Sequence, residues 1–103
     1  MNKGLMTLPN RCKIISCLFE VAKKQDFQRE YLNMYADGCP YEKWMSEILD
    51  AALEFLDEES QRIIINDFKI KSDHQWWLGY YSHTTYYRLK KKATCEFLSV
   101  LIR

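Results

Sequence analysis

From Ser82 to Arg103 the chain contains no glycine and no proline, so a single helix can run through the whole stretch without interruption. At about 100° per residue, Tyr86, Leu89, Ala93, Phe97 and Val100 fall within an arc of about 80°. That spacing predicts a buried apolar stripe. A long helix with one such stripe must lay it against other elements, and the rest of the chain supplies the same periodicity. Cys12, Ile15, Phe19 and Ala22 recur at three- and four-residue intervals, and Trp44, Ile48, Ala51, Ala52, Phe55 and Leu56 mark another segment. Ile63, Ile64, Ile65 and Phe68 follow behind Asp57-Glu58-Glu59-Ser60, where Asp57 is a good cap and the acidic groups suit a positive helix end. No alternating strand pattern of any length occurs. The expected fold is all-α, a single domain of four to five helices. Residues 1–40 would form an N-terminal arm and helical segment, and residues 41–103 the functional region.

The opposite face of the last helix is chemically distinct. Thr84, Thr85, Tyr87, Arg88, Lys91 and Lys92 spread over about 160°, and none is acidic. Such a face can neutralise phosphates and offer hydrogen bonds to base edges. Lys90 falls toward the buried side of the wheel, and its ammonium is expected to snorkel outward. Ser82 is a good N-cap. Just upstream, Asp73-His74-Gln75-Trp76-Trp77-Leu78-Gly79 reads as a capped, very short helix stopped by Gly79, followed by a tight turn into Ser82. Short helix, turn and longer basic helix is the layout of a helix-turn-helix.

The run Tyr80-Tyr81-Ser82-His83-Thr84-Thr85-Tyr86-Tyr87-Arg88-Leu89-Lys90-Lys91-Lys92-Ala93, continuing to Phe97 and Leu98, resembles the DNA-reading end of phage late-transcription regulators of the ArpU and RinA type. These resemble in turn the C-terminal helix-turn-helix, region four, of sigma-70 factors. In such proteins a serine opens the recognition helix, an aromatic-basic run follows, and an apolar residue closes it. Ser82, Thr85, Tyr86, Tyr87, Arg88, Lys90, Lys91, Lys92, Ala93 and Phe97 match that pattern, and Leu56 to Phe68 is similar to the family's preceding helix. The resemblance covers roughly residues 41–103. The chain departs at Trp76-Trp77, where many members have a less aromatic segment. The resemblance implies a sigma-region-four-like ending and a non-catalytic, sequence-specific regulator of transcription from a phage or prophage in a bacterium. Its partners would be double-stranded DNA and RNA polymerase. Thr84, Thr85 and Arg88 would read bases, while Ser82, His83, Tyr87, Lys91 and Lys92 would hold phosphates.

Composition enters where it separates this reading from others. The net charge of +1 conceals a segregation: residues 1–40 carry a balance of +2, residues 41–68 of −6 and residues 69–103 of +5. A basic end can approach nucleic acid, and an acidic middle would avoid it. No apolar run approaches the roughly 18 residues of a membrane span, and no signal-peptide pattern opens the chain, so the expected location is cytoplasmic. The cysteines Cys12, Cys17, Cys39 and Cys95 are spaced too irregularly for a zinc site, and are expected to be reduced and mostly packed as small apolar residues. No catalytic constellation or glycine-rich phosphate loop is visible, so neither an enzyme nor a cofactor or metal site is expected.

A rival reading belongs to another class. A lysine run is commonly only a solvated face, and the chain would then be an interaction module with a sigma-like fold that contacts RNA polymerase or another regulator. Trp76, Trp77 and the acidic helix would form that contact surface. One helix-turn-helix touches few base pairs, so a homodimer would add affinity, with Phe19, Phe27 and Tyr31 as the place to look. A helix start at Pro9-Asn10, Asp26 as either a new cap or a point within one bent helix, and an end at Asp37-Gly38-Cys39-Pro40 complete the expectations.

Overall fold

Thr7 opens the first helix. Its carbonyl accepts from the Arg11 N–H at 2.9 Å and its Oγ1 from the Asn10 N–H at 3.3 Å. Thr7 is therefore the cap expected of Asn10, and Pro9 sits inside the first turn, where its missing N–H costs nothing. In this computed structural model, which describes residues 7–31 and 45–102 and gives only the backbone of residues 28–31, α1 runs unbroken over Leu8–Tyr31. Asp26 starts no new helix. Asp26 and Gln25 instead bind the start of α2 (Met45–Leu53): Gln25 Oε1 accepts from the Met45 N–H at 2.8 Å, and Asp26 Oδ1 accepts from Ser46 Oγ at 3.0 Å. The expected stop at Asp37 to Pro40, and Trp44, lie outside the described residues.

Helix α3 (Glu58–Ile64) begins as expected, with Asp57 Oδ1 accepting from the Ser60 N–H at 2.8 Å. It then widens into a π-helical turn, Ile65–Lys69, in which the Ile70 N–H reaches back to the Ile65 carbonyl at 2.8 Å. The widened turn allows Ile63, Ile64 and Phe68 all to face the core. Lys71 closes it in the left-handed region (φ 59°), and the Ser72 N–H bonds the Asn66 carbonyl at 2.8 Å. Lys71 thus takes the position usually given to glycine. A four-residue 3₁₀ turn, Trp76–Gly79, leads into α4 (His83–Ile102). The short helix ends at Gly79 as expected, without a positive φ there.

Helix α4 packs against α3, α1 and α2, and α1 packs against α2 and the π turn. Residues on both sides of position 41 therefore share one core in a single all-helical domain. Among the described residues there is no strand, and no helix is long and apolar enough to cross a membrane. Phe97, fully buried, stacks on Phe19 with ring centroids 5.9 Å apart. Phe19 is thus part of the core, which corrects its expected place in a dimer contact. Phe27 is exposed, and the side chain of Tyr31 lies outside the described residues. In α2 the buried positions are Leu49, Ala52 and Leu53, while Ile48, Ala51 and Phe55 face outward, about 100° away from the expected phase. Among the described residues Cys17 and Cys95 are exposed and Cys12 is partly packed, so these cysteines are not the core residues expected, and Cys39 lies outside the described residues.

Candidate nucleic-acid interface

The first turn of α4 is built by Ser82. Its Oγ accepts from the Thr85 N–H at 3.2 Å and donates to Thr85 Oγ1 at 2.9 Å. Thr85 is thereby occupied as part of the cap and is only partly exposed. From this start, Tyr86, Ala93 and Phe97 turn inward. His83, Thr84, Tyr87, Arg88 and Lys91 turn outward. The rings of His83 and Tyr87 lie 4.6 Å apart, so these two form one aromatic shelf at the N-terminal end of the face.

The buried side of α4 is locked by a carboxylate. Asp67, on the π turn, accepts from Trp76 Nε1 at 2.8 Å through Oδ1 and from the Tyr86 hydroxyl through Oδ2, and lies 3.3 Å from Lys90 Nζ. Side-chain exposure is only 10% for Asp67 and 18% for Lys90. Lys90 does not snorkel to solvent: its ammonium also lies 5.7 Å from the Phe68 ring centroid and 5.4 Å from that of Tyr86. Burial, and then the hydrogen bond to Asp67, pushes the Tyr86 hydroxyl far above the usual phenol range, so it stays a donor. Trp77 stacks on Tyr86 at 4.5 Å, with Nε1 donating to the His74 carbonyl at 3.0 Å. Trp77 is buried and Trp76 half-buried, and both indole N–H groups are used internally. Neither tryptophan leaves a free docking face of the kind the interaction-module reading assigns to them.

The charges segregated along the sequence are largely matched in space. Lys69 pairs with Asp50 at 3.0 Å, Lys71 with Glu20, Lys90 with Asp67, and Lys92 with Asp57 at 2.8 Å. Lys92 was expected to hold a phosphate; the structure turns it to the edge of the face, onto the cap of α3. The Lys92 ammonium, then the Ser60 N–H and hydroxyl, hold the Asp57 carboxyl down to about 2. The ordinary value is 3.8, so this carboxylate contributes stability above about pH 4 that is lost as pH falls toward 2. Asp57→Asn should therefore flatten that part of the acid-denaturation profile, read by circular dichroism. Arg88 and Lys91 are exposed and have no acidic partner among the described residues.

A cleft of about 590 Å³ opens beside this face, lined by His74, His83, Trp77, Tyr87, Lys71 and Lys90 among others. Its two lysines are already matched by Glu20 and Asp67, which argues against an anion site there. No group of three or more potential metal ligands occurs among the described residues. Sequence reasoning missed Arg11 on α1, whose Nε donates to Thr94 Oγ1 at 3.0 Å and so places a second-helix cation beside the Lys91 turn. No protein-family model, curated protein or solved structure matches the chain.

Proposed function

We propose that the chain is a non-catalytic, double-stranded-DNA-binding regulator of transcription that reads the major groove with the first turns of α4. The observation that carries this reading is the pattern of charge matching. Lys69, Lys71, Lys90 and Lys92 are each paired with a carboxylate on another element, while Arg88 and Lys91 have no acidic partner among the described residues and share one exposed face with Thr84, Tyr87 and His83. Matched lysines serve the fold; two unmatched cations on a helix that also offers hydroxyl and aromatic groups suit a polyanion with a hydrogen-bonding groove. The aromatic-basic pattern shared with ArpU- and RinA-type proteins supports the same reading.

In the proposed roles Arg88 donates two hydrogen bonds to a guanine, Thr84 contacts a neighbouring base edge, and His83, Tyr87 and Lys91 hold phosphates. Ser82 and Thr85 act indirectly, by capping the helix and fixing its first turn. So few cations give modest affinity, and a second copy of the chain or RNA polymerase would supply the remainder. Arg88→Ala is expected to weaken a selected duplex by about 1–3 kcal/mol and to relax selectivity at one base position. Binding-site selection with both proteins, followed by fluorescence anisotropy on the winning sequence, checks this. An unchanged selected sequence and affinity would refute the reading.

A further inference from the structure

The phase of α2 leaves an apolar surface that the DNA-reading face does not use. Ile48, Ala51 and Phe55 line one side of a groove of about 300 Å³, with Val100 and Leu101 of α4 on the other. Past Phe55 it continues over Leu56, Ser99 and Val100 as a second hollow of about 520 Å³. Phe55 is 76% exposed. Leaving such a ring in water forgoes its burial free energy, and a contiguous apolar strip of this kind marks an interaction site more often than a scattered apolar residue does.

The rim of the groove is acidic. Glu47 lines the first part and Glu96 the second, Glu54 precedes Phe55 in an exposed turn, and no lysine or arginine lines either part among the described residues. We infer that the groove docks a basic amphipathic helix of a partner protein, with apolar side chains at i, i+4 and i+7 over Phe55 and Val100 and flanking lysines or arginines toward Glu54 and Glu96. Two observations select this occupant. The floor lies between two helices, which is the geometry that receives a third helix along the seam. The rim charge disfavours a second copy, because a two-fold contact through this groove brings two acidic rims together. The surface is separate from Arg88 and Lys91, so the inference holds whether or not α4 binds DNA.

The test uses the full chain and two synthetic fluorescein-labelled helical peptides that share leucines at i, i+4 and i+7. One carries lysines on the flanks and the other glutamates. Anisotropy is expected to show saturable binding of the lysine peptide, at least about tenfold tighter than that of the glutamate peptide. Phe55→Ser should weaken the lysine peptide about tenfold or more while leaving the thermal midpoint in place, since the ring is mostly in water. Glu54→Lys with Glu96→Lys, which removes no buried group, should invert the preference between the peptides. Equal affinity for both peptides, no saturable binding of either, or full binding by Phe55→Ser would overturn the inference. So would sedimentation showing a parent dimer that Phe55→Ser converts to monomer, which would put a second copy in the groove.

Discussion

Phe97→Ala is expected to destabilise the fold by about 3–5 kcal/mol, measured as a fall in the urea midpoint at unchanged slope. Phe97 is fully buried and its ring stacks nearly parallel on Phe19, at an interplanar angle of 4°. Truncation removes the transfer free energy of the ring and leaves a cavity that helices held by Ile15, Leu49 and Ile63 can only partly close. The loss would fall on the contact that ties α1 to α4, so the two ends of the chain should lose protection against hydrogen exchange together. A loss below about 1 kcal/mol would mean that the stripe on α4 does not face the core.

Asp67→Ala should cost about as much, roughly 3–5 kcal/mol, by a different route. The carboxylate is the shared acceptor for Tyr86, Trp76 and Lys90, so its removal leaves two donors without an acceptor and a half-buried ammonium without its counter-charge, bonded only to the Tyr86 hydroxyl. Lys90→Met should cost much less, because Asp67 would keep the Trp76 and Tyr86 donors and the aliphatic stem would still pack on Phe68. This asymmetry separates a structural carboxylate from an ordinary surface pair, for which either truncation costs about 1 kcal/mol or less. Equal small losses in both variants would show that the pair is solvated. Since Asp67 also holds Tyr86 in the second turn of α4, the alanine variant should weaken DNA binding even where it remains folded.

How far the sequence foretold this arrangement depended on the length and isolation of each signal. The twenty residues of α4 hold nearly three heptads, enough to fix the phase, and Tyr86, Ala93 and Phe97 are buried where the spacing put them. Thr94 and Leu98 were not foreseen, because α1 covers a second side of α4 and widens its buried arc. Helix α2 is only nine residues long, and there Ile48 and Phe55 compete with Leu49 and Leu53 for one face; size alone does not break that tie. The π turn was invisible because an extra residue in one turn leaves no mark on an aliphatic run.

Within the site, the legible part was local and the illegible part long-range. The Ser82 cap and the outward face follow from neighbours three and four residues apart. The pairing of Lys92 with Asp57 joins groups 35 residues apart and that of Lys90 with Asp67 joins groups 23 apart. One hint was present: Lys90 lies on the buried side of its helix and Asp67 falls between the apolar Ile65 and Phe68, and two opposite charges that both face a core seek each other. The charge segregation along the chain, in turn, serves the fold, since Lys69, Lys71, Lys90 and Lys92 of the basic end neutralise acidic groups elsewhere.

The salt dependence of binding to a mixed-sequence duplex tests DNA recognition by α4 most directly. The logarithm of the association constant should fall linearly with the logarithm of salt concentration, with a slope of about −2 per chain. Lys91→Ala should make the slope shallower by about one. Lys92→Ala should change it by less than half as much, because Asp57 already neutralises that ammonium. No binding at low salt, or a slope that ignores Lys91 and follows Lys92, would contradict the assignment of this face to DNA.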